Sequence, residues 1–359
     1  MSLPKTFKQA AFKENGGPLV VEEVELTLPS DGQVLIKVEA CGVCHSDKFP
    51  QFNGMGAGFP FVPGHEFIGR VAAVPSGEKK WKVGDRIGGG WHGGHDGKKF
   101  IRVKRFSHYS NRATPGTCNA CQKGMFQMCD NKVINGETVG GGYAQYCKIR
   151  SESGVRIPED IDAKLYAPIL CAGVSTFNSI RQLNVPHGST VVIHGIGGLG
   201  HLAIQYANKL GYRVVAISRG RDKEQFAKSL GAHEYIDAAT QDPVSTLKEL
   251  GGASLVVSTS PNGADITPLL GGLGPLGKLL VLSVAGDLSI SVLTLMGYGL
   301  SVHSWPSGHA TDTEDTIAFT KLHGVNCMTQ TWPLEQVNEA YNAMVSGDIR
   351  FRAVITMED

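Results

Sequence analysis

Cys44-His45-Ser46-Asp47, Gly64-His65-Glu66 and Cys171, the last within Leu170-Cys171-Ala172-Gly173-Val174, are the residues best suited to carry chemistry in this chain of 359. Two thiolates and one imidazole hold a zinc ion in three of its four tetrahedral positions and leave the fourth open. Taken singly, a Cys or His in such a stretch is more often core than ligand. The three together, ahead of a nucleotide-binding unit, point to a catalytic metal. There are eight Cys. The opening Met1-Ser2-Leu3-Pro4-Lys5 lacks the apolar core of a signal peptide, so a cytoplasmic protein with reduced thiols is expected. Cys118, Cys121 and Cys129 form a second, local cluster; Cys41, Cys147 and Cys327 read as small core residues.

A second constellation serves a phosphate-bearing cofactor. Gly195-Ile196-Gly197-Gly198-Leu199-Gly200 follows an apolar strand and opens a helix. Alone, such a string could be a plain Gly-rich turn. Between strand and helix, the glycines allow the tight turn and close backbone approach that let a helix N-terminus face a pyrophosphate. NAD sites usually carry Asp or Glu at the end of the next strand, bonding the ribose 2′-hydroxyl. Here that end reads Ala216-Ile217-Ser218-Arg219-Gly220-Arg221. A hydroxyl and two guanidiniums can receive a 2′-phosphate, and this string holds no carboxylate to repel one. A solvated arginine turn is the alternative; NADP over NAD is the expectation.

The elements that must position these groups fall into two regimes. The first 150 residues are strand-like and rich in turns, with strands expected at 34–39, 67–74 and 143–149. From residue 190 the pattern alternates: strand 190–194, a helix through Leu202, Tyr206 and Leu210, strand 213–217, a helix to Leu230, then strands at 235–236, 254–258 and 278–283. That alternation implies a parallel sheet with crossover helices. Two late helices, near 315–322 and 334–344, precede a last strand at 353–356. At 42% hydrophobic and 19% charged, with a formal net charge of +1, the chain can bury a sizeable core and gives no case for nucleic acid or membrane as a partner.

Along nearly its whole length the chain resembles the medium-chain zinc alcohol dehydrogenase family. The resembling strings are Cys-Gly-Val-Cys-His-Ser-Asp (41–47), Pro-Gly-His-Glu (63–66), Val-Gly-Asp-Arg (83–86), Cys-Ala-Gly-Val (171–174) and Gly-Ile-Gly-Gly-Leu-Gly (195–200). The resemblance implies an α/β fold: a GroES-like β-barrel catalytic domain over 1–172, completed by 301–359, and a Rossmann dinucleotide-binding domain over 173–300. It implies that Cys44, His65 and Cys171 hold the catalytic zinc, with Glu66 near the metal and Asp47 orienting His65. Ser46 would bond the substrate oxygen and pass its proton on. His45 and Arg352 would face the pyrophosphate, Ser175 the nicotinamide, and Trp91 would narrow the pocket. Many relatives carry a His three residues after the hydroxyl; this chain has Phe49. The activity implied is hydride transfer between NADP(H) or NAD(H) and a small alcohol, aldehyde or ketone. A polyol or aryl-alcohol dehydrogenase and a non-catalytic nucleotide-binding protein are the alternatives. A homo-oligomer, dimer or tetramer, is expected.

The family's second, structural zinc is held by four Cys spaced three, three and eight. Cys118, Cys121 and Cys129 supply the last three, but Pro115 stands where the first belongs. Some relatives replace that first Cys by Asp in a His-Asp-Gly-Thr-Cys string. Here His95-Asp96-Gly97 and Thr117-Cys118 are its two halves, separated by residues 98–116. Asp96 is the candidate fourth ligand, but it or His95 must reach the metal across that long segment, so the second zinc is expected to be weak or absent. The intervening segment carries Lys98, Lys99, Arg102, Lys104, Arg105 and Arg112 with no acidic residue. It reads as a surface insertion, with a functional basic loop or retained intron sequence as alternatives.

Overall fold

A computed structural model describes residues 3–95 and 118–357, so Asp96 and the basic segment at 98–116 lie outside the described residues. The chain divides into two compact units. The first is Met1–Cys171 with Ser307–Ala318 and Cys327–Asp359; the second is Ala172–Pro306 with Phe319–Asn326.

The first unit is built on Gln33–Gly42, whose apolar and β-branched residues bury Val34, Leu35, Ile36, Val38, Ala40 and Cys41. It lies in a seven-stranded sheet, mostly antiparallel, between Arg352–Thr356 and Phe67–Ala73. Two register shifts against Phe67–Ala73 mark bulges, and Tyr146–Arg150 also pairs with it. Bulges of this kind bend a sheet and re-aim its side chains. A hairpin of Thr6–Phe12 and Leu19–Glu25 closes over the core through Ala10, Phe12 and Leu19.

The second unit holds a six-stranded parallel sheet. In space its strands run Glu234–Asp237, Arg213–Ser218, Thr190–His194, Ala253–Ser258, Leu273–Val281 and Ser301–Ser304. By chain order within the unit this is 3-2-1-4-5-6, the doubly wound Rossmann arrangement, whose ligands bind at the carboxyl ends of the strands. Val191, Val192 and Ile193 are fully buried in the central strand, which is why it reads as a continuous apolar run rather than an alternating one.

Several elements depart from their expected bounds. The strand expected at 278–283 is Leu273–Val281, its start hidden by Gly274, Pro275 and Gly277. The strand expected at 143–149 is Tyr146–Arg150, while Ala144 makes an isolated bridge to Gln9. The helix expected at 334–344 is a 3-10 turn, Leu334–Gln336, running into Val337–Ser346. The helix Val292–Tyr298 was not expected, because its apolar residues show no buried face.

Candidate functional site

The catalytic candidates in the first unit converge where strand Gln33–Gly42 ends. Beyond it the chain enters a short 3-10 turn, His45–Asp47, with Cys44 at its cap. Asp47 folds back so that its Oδ2 accepts the Cys44 amide at 2.9 Å and the Tyr143 hydroxyl at 2.7 Å. Its Oδ1 stands 3.3 Å from His65 Nδ1, and both side chains are fully buried. Asp47 therefore fixes the imidazole from behind and leaves Nε2 facing the thiols. Sequence reading placed Asp47 there but missed Tyr143, a fully buried ring far along the chain that anchors the carboxylate.

One ligand atom each from Cys44, His65, Glu66 and Cys171 lies within 4.8 Å of all the others. Cys44 Sγ and Cys171 Sγ are 4.0 Å apart. Two sulfurs bound tetrahedrally at about 2.3 Å stand about 3.8 Å apart, so the pair fits a zinc ion without rearrangement. The hydrogen bond from Cys171, and then His65 acting against burial, hold the Cys44 thiol well below its ordinary value, the thiolate form that metal binding needs. Ser46 Oγ sits 3.2 Å from His65 Nε2 and 3.3 Å from Cys44 Sγ. A hydroxyl among the ligand atoms is positioned to meet an oxygen in the fourth position.

Glu66 is fully buried and ion-paired with Arg352, and its Oε2 has no hydrogen-bond partner among the described residues. Burial pushes its carboxyl up to about 7 against the pull of Arg352. Glu137 is another carboxylate that sequence reading missed. It is 3% exposed, accepts the Trp91 indole N–H at 3.2 Å, and is pushed up to about 7 by burial, with His65, Asp47 and Cys44 in electrostatic reach. Trp91 is thus tied to a buried acid beside the thiols. Of the remaining cysteines, Cys41, Cys147 and Cys327 are buried, and burial pushes their thiols up, Cys327 to about 12.

Cys118, Cys121 and Cys129 also bring their sulfurs within 4.8 Å of one another. Cys118 caps the helix Asn119–Gln122, and its Sγ is 3.8 Å from that of Cys129. Backbone amides of Cys121 and Asp130 oppose its partial desolvation and lower its thiol. His95, next to the candidate Asp96, stacks on Phe126 at 4.2 Å.

The cofactor candidates are divided between the units. His45 and Arg352 belong to the first; Ser175, within the helix Ala172–Gln182, and the rest belong to the second. Gly195, with φ of +91°, turns the chain at the end of Thr190–His194, and a Cβ there would meet Thr259 Oγ1 at 2.8 Å. Gly200 opens the following helix, and a Cβ there would stand 1.9 Å from the Gly195 carbonyl oxygen. The turn thus closes only with glycine at both ends, leaving Gly197, Gly198 and Leu199 between them at the helix N-terminus. Ser218 ends strand Arg213–Ser218 and Arg219 follows it. The string 216–221 itself holds no carboxylate, but two acids from elsewhere in the chain reach this turn. Asp237 Oδ1 accepts the Gly220 amide at 2.7 Å, and Asp265 Oδ2 accepts Arg219 Nη2 at 3.0 Å. Asp237 ends strand Glu234–Asp237 and Asp265 sits on the short helix Gly263–Ile266, both beyond the window a local sequence reading covers.

Comparison with known proteins agrees with this architecture. The alcohol dehydrogenase GroES-like domain family matches residues 30–159, and the zinc-binding dehydrogenase family matches 198–321. The alcohol dehydrogenase patD of Penicillium expansum is 58% identical over 354 residues, covering 99% of this chain and 98% of that protein. The alcohol dehydrogenase notN of Aspergillus sp. (strain MF297-2) is 55% identical over the full length of both. A solved cinnamyl alcohol dehydrogenase from Sorghum bicolor superposes with a TM-score of 0.83 at 28% identity, covering 99% of this chain and 100% of its own. Full-length relatives and matched families on both units lead to one conclusion: the chain is an oxidoreductase of the medium-chain zinc alcohol dehydrogenase family.

Proposed function

We propose that the protein is a zinc-dependent, NADP-preferring alcohol dehydrogenase or carbonyl reductase acting on a small alcohol, aldehyde or ketone. The observation that carries this reading is the convergence of Cys44, His65 and Cys171 with the Ser46 hydroxyl among their ligand atoms. When bound, zinc polarises the substrate oxygen and the nicotinamide exchanges a hydride with the carbon that bears it.

The chain's own residues do the rest. During oxidation Ser46 Oγ accepts the substrate hydroxyl proton as it gives its own proton onward, and during reduction it runs the same exchange in reverse. Asp47, held by Tyr143 and the Cys44 amide, keeps the His65 ring in the one orientation that serves the metal. Glu66 and Arg352 neutralise one another beneath the ligand set, so neither charge is buried alone. Phe49 cannot carry a proton, so proton exit runs from Ser46 by another route than the His found in many relatives. Cys118, Cys121 and Cys129 are proposed to offer three thiolates to a second zinc that is held weakly or not at all, since Pro115 stands where the family has its first Cys. Ser218 and Arg219 are proposed to receive the 2′-phosphate of NADP. Among the described residues no two cysteines are joined in a disulfide, which supports a reducing compartment such as the cytoplasm.

The assay is consumption of NADPH with a panel of aliphatic and aryl aldehydes. We expect turnover in the wild type and background in Cys44→Ala, with NADPH still bound by the variant. Normal turnover in Cys44→Ala would end the metal reading. Likeness to the sorghum cinnamyl alcohol dehydrogenase favours aryl alcohols as the second reading of the substrate, and the same panel ranks the two.

A further inference from the structure

The turn expected to greet the 2′-phosphate already holds a carboxylate. Strands Arg213–Ser218, Thr190–His194 and Ala253–Ser258 lie side by side, and Ile217, His194 and Ser258 are level across their carboxyl ends. The Gly-rich turn begins at the central strand. On one side Ser218 and Arg219 continue from their strand. On the other side the Thr259 hydroxyl donates to the carbonyls of His194 and Gly195, at 3.2 and 3.1 Å, holding the next loop against the turn. That loop leads into the short helix Gly263–Ile266, from which Asp265 reaches back across the strand ends to Arg219. His194, at the end of the central strand, has both of them in electrostatic reach. Asp237, the other acid nearby, is engaged by the Gly220 and Ala239 amides and the Thr240 hydroxyl and shapes the turn instead.

We infer that Asp265 is a specificity-determining residue for the cofactor, restraining NADP preference by holding the Arg219 guanidinium that a 2′-phosphate would take. The inference rests on the reading of Arg219 as the 2′-phosphate receiver. A phosphate dianion entering this turn must share or displace the Asp265 carboxylate and then lie beside a like charge. A 2′-hydroxyl meets no such opposition, since it donates to a carboxylate. Asp265 thus supplies in space the acid that strand Arg213–Ser218 lacks at its end. Arg219 is 73% exposed, and exposed ion pairs exchange partners at little cost, so the restraint is graded rather than absolute.

The test is equilibrium binding rather than turnover: fluorescence titration of NADPH and NADH, at low and high salt, into the wild type, Asp265→Asn, Arg219→Ala and the double variant. ADP, which has no 2′-phosphate, reports that the rest of the site is intact. We expect Asp265→Asn to raise the preference for NADPH over NADH by about three- to tenfold, less at high salt, with ADP, whose 2′-hydroxyl is free as in NADH, changing no more than NADH does. Arg219→Ala should lower that preference, and adding Asp265→Asn to it should recover only part of the loss. If Arg219→Ala lowers the preference while Asp265→Asn leaves it unchanged or lowers it, the inference about Asp265 is wrong and the cofactor reading stands. If Arg219→Ala leaves the preference unchanged, the cofactor reading itself fails and the inference goes with it.

Discussion

His92 is 4% exposed, and neither of its ring nitrogens has a hydrogen-bond partner among the described residues. Its ring lies 5.4 Å from that of His95, and burial, reinforced by His95 and His309, holds its pKa down to about 3. An unfolded His titrates near 6.5, so between those values the unfolded chain binds the extra proton. The stability this neutral ring contributes is complete above pH 6.5 and is lost as pH falls toward 3. His92→Phe removes the titration and keeps a ring. From pH 7.5 to 5.5 the wild type should lose about 1.4 kcal/mol more stability than the variant, read from urea midpoints at each pH. Parallel losses would show that the ring is not held neutral. At this scale the sequence was informative only where chemistry clusters locally. Cys44, His65 and Cys171 stand in short strings whose residue types are unusual together. Tyr143, Glu137 and Asp265 stand in unremarkable strings and acquire their roles from partners 96, 46 and 46 positions away.

Elements were legible where a single pattern governed them. Thr190–His194 is buried on both faces and flanked by turn residues, so its apolar run identified it. Gly200–Lys209 was legible because Leu202, Ala203, Tyr206 and Ala207 recur at helical spacing, although the fold buries every residue from Gly200 to Ala207. Strand Leu273–Val281 was half hidden, because a Gly-Pro pair reads as a turn while tertiary pairing with Ala253–Ser258 carries the chain through it. The junction between first strand and first crossover helix offers the sharpest test at this scale. A methyl on Gly200 would press on the Gly195 carbonyl and reopen the turn. Gly200→Ala should weaken NADPH and ADP binding alike by at least about tenfold, measured by fluorescence titration, and lower the thermal midpoint. Unaltered binding of both ligands would place the phosphates elsewhere.

For the whole molecule, the sheet of the second unit ends at Ser301–Ser304, an edge strand paired on one side. Near it in sequence, Val292, Leu293, Met296 and Tyr298 are between 57% and 79% exposed on a helix with no buried residue. Leu276 and Val284 are exposed as well. An open strand edge can pair with its own copy about a two-fold axis, and an apolar helix beside it gives that contact area to bury. We propose that the homo-oligomer expected from the sequence, where it forms, uses this surface for a second copy of the chain. Light scattering should find a dimer or tetramer whose mass falls on Leu293→Asp; a monomeric wild type would remove the proposal. Among the described residues no helix is long and apolar enough to cross a membrane. The account as a whole stands on the metal held by Cys44, His65 and Cys171. Zinc per chain, measured by mass spectrometry on the wild type, Cys44→Ala and Cys171→Ala, tests it most directly. Each variant should hold one zinc fewer than the wild type while binding NADPH normally. Equal zinc content in all three proteins would contradict the account.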